Sequence, residues 1–205
     1  MVHPMRQRGF SLIELMVAMT ILVLLMLAAM PSLGTWLDNT HIRNQADSFM
    51  TGLQTARGEA VRTNQNVSLW LVRLTDPATL ANDCKQSTTG TDGSWVVSVA
   101  SPQDHCADTG TTAAANPAGV VTGRAMGGSG THVSVKALRA DGTAGSVVTF
   151  NGFGRIAAGS NSITEIDLNG TGGATYRKLS VTVSPTGSVR MCDPAVTSTT
   201  DPRKC

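Results

Sequence analysis

From Phe10 to Met30 the chain carries no charged side chain except one, Glu14. A run of about 20 apolar residues is enough to cross a bilayer core of roughly 30 Å as a helix, and no other stretch constrains the fold as strongly. Arg6 and Arg8 stand just before it and Pro31 just after it. Glu14 lies one turn into the segment. A charge there costs about 2.5–3.5 kcal/mol near the bilayer centre and less near its surface, so the carboxylate reads as a functional group in need of a partner. The simplest partner is an amine. A chain cut after Gly9 carries its α-amino group on Phe10, four residues from Glu14 on the same helix face.

The helical pattern continues past Pro31. Leu33, Leu37, Ile42, Ala46, Phe49, Met50, Leu53, Ala56 and Ala60 recur at three- and four-residue steps with polar residues between them. Such spacing predicts an amphipathic helix that runs on into a water-soluble head. Pro31 removes the hydrogen bond to the Leu27 carbonyl, so a kink is expected there, with Gly34 loosening the same turn. Arg43, Asp47, Arg57, Glu59 and Arg62 read as a solvated side. Asn64-Gln65-Asn66 breaks the pattern, and strands are expected at 67–74, 95–100, 132–138, 147–150, 162–168, 178–183 and 188–191. Between them, 102–130 is poor in hydrophobic residues and reads as a long loop with a short strand at Val120-Val121. One long helix followed by short strands is an α+β arrangement, the helix laid across an antiparallel sheet.

Charge and cysteine usage narrow the function. Lys and Arg number 16 against 14 Asp and Glu, and removing Arg6 and Arg8 leaves the rest balanced, so bulk basicity does not point to nucleic acid. The two arginines instead place the N-terminus on the cytoplasmic side. Cys84, Cys106, Cys192 and Cys205 all follow the apolar segment, with no Cys-x-x-Cys pair and no His at metal-ligand spacing. In an extracytoplasmic head they read as two disulfides. Three connectivities are possible, and the local one, Cys84–Cys106 with Cys192–Cys205, is expected. Gly127-Gly128-Ser129-Gly130 fails as a nucleophile elbow, while Gly152-Phe153-Gly154 and Gly170-Thr171-Gly172 read as turns. His41, His105 and His132 are scattered, and Asp104, His105 and Asp108 beside Cys106 read as a solvated loop. No catalytic residue, metal or cofactor is expected.

Arg8-Gly9-Phe10-Ser11-Leu12-Ile13-Glu14-Leu15 before a long apolar helix resembles the leader and N-terminus of type IV prepilins and type II secretion pseudopilins. An ordinary secretory signal has a shorter apolar core and a small-x-small cleavage site, which is not clear near Met30. The resemblance implies a type IV pilin fold. It also implies cleavage by prepilin peptidase between Gly9 and Phe10, N-methylation of Phe10, and a role for Glu14 in filament assembly through a neighbour's N-terminal amine. It implies a bend at Pro31 as well. The expected organisation is a leader at 1–9, a transmembrane and filament-core helix at 10–30, an amphipathic head helix at 31–65, and a periplasmic β-rich head at 66–205. Further along, three stretches resemble the H-type branch, the GspH pseudopilins and FimT/FimU minor pilins. They are Gln54 to Val67 with its Ala-Arg-x-Glu-Ala-Val-Arg sequence, Val148-Thr149-Phe150-Asn151 leading to Gly154-Arg155, and Val183-Ser184-Pro185-Thr186-Gly187 leading to Val189-Arg190-Met191-Cys192.

The resemblance therefore implies a minor pilin held by one pass in the inner membrane, its head periplasmic, and then built into a pilus, near the tip. Other minor and major pilins, or pseudopilins, are its implied partners. The Cys192–Cys205 closure resembles pilus subunits more than secretion pseudopilins; a type II secretion pseudopilin H is the alternative. A second alternative is a FimT-like DNA-binding pilin of natural competence. That family's Gly-Arg-x-Arg motif falls here on Gly187-Ser188-Val189-Arg190, with one arginine missing. Arg177, Lys178, Arg190, Arg203 and Lys204, against Asp193 and Asp201, are the candidate DNA-binding residues.

Overall fold

The computed structural model describes residues 11–127, 132–171 and 176–205, the side chains of 28–33 excepted. Among the described residues, helix α1 spans Leu12–Thr63 and is followed by nine strands. They are β1 (Val67–Arg73), β2 (Lys85–Gln86), β3 (Ser94–Ser98), β4 (Val120–Arg124), β5 (Val133–Arg139), β6 (Val147–Phe150), β7 (Ile163–Gly170), β8 (Leu179–Val183) and β9 (Val189–Cys192). The chain divides into two compact units between Leu37 and Asp38.

In the first unit α1 starts at Ser11, whose hydroxyl accepts the Glu14 N–H at 3.3 Å, as an N-cap does. Every described side chain from Ser11 to Leu27 is exposed. Among the described residues no helix is long and apolar enough to cross a membrane. The described side chains of the apolar run stop at Leu27, short of the about 20 residues a span requires. Phe10, and the side chains of 28–31, among them Pro31 where a kink was expected, lie outside the described residues.

In the second unit α1 stops where the Asn-rich break falls. Asn64 takes a left-handed conformation, φ 53°, and Gln65 N–H reaches back to the Ala60 carbonyl at 3.3 Å. This closure ties up a carbonyl that the last turn leaves without a helical partner. Ile42, Ala46, Phe49, Leu53, Ala56 and Ala60 are completely buried, so the apolar stripe expected for the head helix is its packing face.

That stripe packs on two antiparallel sheets rather than the single sheet expected. In the first, β1 is central: it pairs with β3 along one side and with β6 and β2 along the other, while β4 extends β3. The second has the order β5-β7-β8-β9. Inward residues of both, such as Leu69, Val97, Val135, Ile166 and Val181, share one core with the helix stripe. Trp95 donates its indole N–H to Ser48 Oγ at 2.9 Å, and Gln45 donates to the Gly93 carbonyl at 2.6 Å, so helix and β3 are pinned as well as packed.

The helix runs so close to this sheet that a Cβ on Gly52 would sit 2.8 Å from Leu69 Cδ1 and 3.0 Å from the Trp95 ring. Gly52→Leu should therefore destabilise the head by about 1–3 kcal/mol through overpacking, despite the better helix propensity of leucine. A urea unfolding midpoint equal to wild type would contradict this.

The two sheets differ in what covers their outer faces. All five residues of β3 are buried, because the connections between Leu74 and Val120 fold over the first sheet and build a second core. Val72, Val96, Val120, Ala118 and the Cys84–Cys106 disulfide form it. The long segment expected to be a tethered loop is thus the cover of a sheet. In the second sheet, β5 alternates buried and exposed, the pattern of one solvated face.

That face carries the cross-strand row Leu138, Glu165, Thr182 and Arg190. Burial, and next the charge of Asp167, raise the Glu165 pKa from its ordinary 4.5. A raised acid favours the folded state below the unfolded pKa and loses that contribution as pH rises through the folded value. Glu165→Gln should accordingly be more stable than wild type at neutral pH, the difference vanishing towards about pH 4. Thermal midpoints across that interval test it; a gap independent of pH would contradict the assignment.

Candidate functional site

The N-terminal residues of interest fall on and before the first turn of α1. Gly9 and Phe10 lie outside the described residues. Glu14 is exposed in the first helical turn, where a negative charge is favoured by about 0.3–1 kcal/mol through the helix dipole. Ser11-x-x-Glu14 has the spacing of a capping box, a signal that reading the segment only as a membrane span passes over. Among the described residues the Glu14 carboxylate has no partner. From Leu12 to Leu27 it stands at the head of a continuous exposed apolar surface, the kind that lipid or another protein covers.

Of the C-terminal basic residues, Arg190 lies on β9, Arg203 and Lys204 in the loop closed by Cys192–Cys205, and Arg177 and Lys178 just before β8; the arginines serve that loop. Arg203 grips Asp201 through two contacts, 2.7 and 3.1 Å, and holds its carboxyl down to about 2. Arg177 Nε faces Asp193 at 3.5 Å. Arg190 donates to the Lys204 and Cys205 carbonyls at 3.2 and 3.5 Å. Among the described residues Lys178 and Lys204 pair with no carboxylate. Phosphates would thus compete with existing partners for every arginine of the set.

The other clusters of polar residues are likewise structural. His105 bonds Asp108 at 2.8 Å, Asp104 pairs with Lys85, and Cys106 is disulfide-bonded. His41 and His132, distant in sequence, stack with ring centres 5.4 Å apart, and His132 meets Asp38 at 2.9 Å. Among the described residues no group of His, Cys, Asp or Glu is arranged to hold a metal.

Three stretches that are separate in sequence meet at the C-terminal end of α1. Arg57 donates from Nε to the Gly154 carbonyl at 2.9 Å. Asn151 Oδ1 accepts the N–H groups of Phe153 and Arg155 at 3.0 and 3.1 Å, and Asn151 and Arg155 also exchange a backbone bond at 2.8 Å. Ile156 N–H bonds the Pro185 carbonyl at 3.2 Å. Gly187, φ 82°, lies so close that a Cβ there would be 1.9 Å from the Gly154 oxygen. The Gly152-Phe153-Gly154 turn is therefore fixed from three sides, yet Phe153 itself is 84% exposed. Beside it opens a cleft of about 590 Å³ walled by Phe153, Arg155, Ile156, Ala158 and Pro185.

Residues 4–30 match the prokaryotic N-terminal methylation motif. Two crystal structures of the type IV minor pilin FimU from Pseudomonas aeruginosa (strain PAO1) are similar to the chain. One, in space group P21, is 13% identical with a TM-score of 0.47 and covers 80% of this chain and 97% of its own. The other, in space group P65, is 16% identical with a TM-score of 0.43, covering 77% and 97%. No curated protein matches the chain. Residues 45–187, well over half of the sequence, match the family of the type II transport protein GspH, and the chain belongs to that family.

Proposed function

We propose that this chain is a minor pilin, cut by prepilin peptidase between Gly9 and Phe10, N-methylated on Phe10, and assembled into a type IV pilus with other pilins. The observation that carries the reading is the methylation motif over residues 4–30 on a helix whose described side chains from Ser11 to Leu27 are all exposed. An apolar surface of that extent must be removed from water, first by the inner membrane and then by the helices of neighbouring subunits. Pro31 is the expected bend between the core-forming and head-bearing parts of α1. The head, braced by its two disulfides, faces outward into an oxidising compartment.

Mass spectrometry of the mature protein tests the processing. A chain beginning at N-methylated Phe10 is expected, and retention of the leader would contradict the proposal. A second reading, a minor pseudopilin of type II secretion, is favoured by the name of the matching family. Deleting the protein separates the two: loss of pilus-dependent motility with normal exoprotein secretion supports the pilus, and the reverse supports secretion.

DNA capture by the head draws less support, because Arg177, Arg190 and Arg203 already serve the C-terminal loop. Duplex DNA should bind the unaltered head no more tightly than the head carrying Arg203→Ala and Lys204→Ala, even at low salt. A salt-dependent affinity that these changes abolish would revive that function.

A further inference from the structure

We propose that the cleft beside Phe153 is a docking site for another filament subunit, taking a surface segment that presents an apolar side chain next to a carboxylate. The inference rests on reading the chain as a filament subunit and adds to it a second contact, made by the head rather than by the apolar helix. A single exposed apolar residue is ordinary on a protein surface. Phe153 differs in its support. The loop that bears it is tied to Asn151, Arg57 and the Pro185 turn, so presenting the ring to a partner costs little ordering entropy. Val61, also exposed, abuts the loop: a Cβ on Gly154 would be 3.0 Å from Val61 Cγ2. An aromatic ring beside an open apolar cleft is the common form of a binding hot spot between proteins.

Charge selects the partner's chemistry. Arg155 is exposed and, among the described residues, its guanidinium meets no carboxylate. Glu59, two residues along α1 from Arg57, is taken by Arg62, at 2.5 and 2.8 Å. This face therefore presents uncompensated positive charge beside apolar surface, and a carboxylate flanking an apolar side chain complements both. The cleft is open and leaves the Phe153 ring largely uncovered, which suits a protein surface better than an enclosed small molecule.

The test uses the full-length chain in cells, with a photocrosslinking phenylalanine at position 153 and, separately, at position 15 on the apolar helix. Position 153 should give an adduct to another filament subunit, mapped to an apolar segment bearing Asp or Glu. Arg155→Glu should lower its yield about tenfold or more, and a Lys substitution at the mapped carboxylate should restore it. Phe153→Ala should leave the thermal midpoint unchanged while reducing incorporation, which separates docking from folding. Adducts at position 15 with none at 153, or a 153 adduct indifferent to Arg155→Glu, would overturn the inference and leave the filament reading intact. Membrane fractions are probed alongside sheared filaments. Absence of adducts at both positions in both fractions would defeat the filament reading and this inference together.

Discussion

Replacing Cys84 and Cys106 together by alanine should lower the unfolding free energy by about 3 kcal/mol from chain entropy alone, for a bridge between residues 22 apart. The loss should exceed that of the equivalent change at Cys192 and Cys205, although the separation there, 13, gives nearly the same entropic term. The reason is burial. Cys84 and Cys106 are both fully buried in the second core with Val72, Val96 and Val120, whereas Cys205 is exposed. Without the bridge, the connection that covers the first sheet loses its tether, and β3 exposes an apolar face that water otherwise never reaches. Limited proteolysis should then cut first within 99–119 and leave the C-terminal loop intact. A variant as stable in urea as wild type, or one cut first elsewhere, would contradict the role assigned to this segment.

Most elements of the fold were legible in the sequence, for local reasons. Apolar residues at three- and four-residue steps marked the helix face that Phe49 and Leu53 bury, and Asn64-Gln65-Asn66 marked its end because Asn tolerates the left-handed cap. Of the nine strands, β6 was read at its observed bounds and most others within two residues. What escaped was long-range. Two-residue β2 is polar and carries no period, and nothing local tells that β5 leaves the first sheet to begin a second. The cover over β3 was hidden in a segment whose few apolar residues act only through contact with Val72 and Val96. The candidate site divides the same way. The Gly152-Phe153-Gly154 turn could be read from residue type, whereas the observed cysteine pairing was the expected one of three that the sequence left possible. That Arg57, Asn151 and Gly187 converge, and that Arg190 and Arg203 are already engaged, depends on side chains meeting across strands. Glu14 illustrates a different failure: attention to its cost in a membrane obscured its ordinary fitness for the first turn of a helix.

Those two roles of Glu14 make opposite demands on a test, and Glu14→Gln separates them. Glutamine keeps the size, the helix propensity and the hydrogen-bonding capacity of a capping-box residue, so α1 should form with helicity unchanged. Membrane insertion and removal of the leader should be unaffected, since neither depends on charge at this position. What glutamine cannot do is pair with a cationic amine. If the carboxylate docks each incoming subunit by meeting a neighbour's Phe10 amine within apolar surroundings, losing the charge strands that amine unpaired. Placing such a charge in apolar surroundings costs about 2.5–3.5 kcal/mol, and 1.4 kcal/mol is about a factor of ten in an equilibrium. Incorporation into sheared filaments should therefore fall by about a hundredfold while the processed protein persists in the membrane. Glu14→Asp, which retains charge on a shorter arm, should recover part of the loss, an outcome that a purely helical role does not produce. Filaments containing wild-type amounts of the Gln variant would reduce Glu14 to an N-terminal helix residue, and the apolar surface from Leu12 to Leu27 would have to set the register of assembly by shape alone.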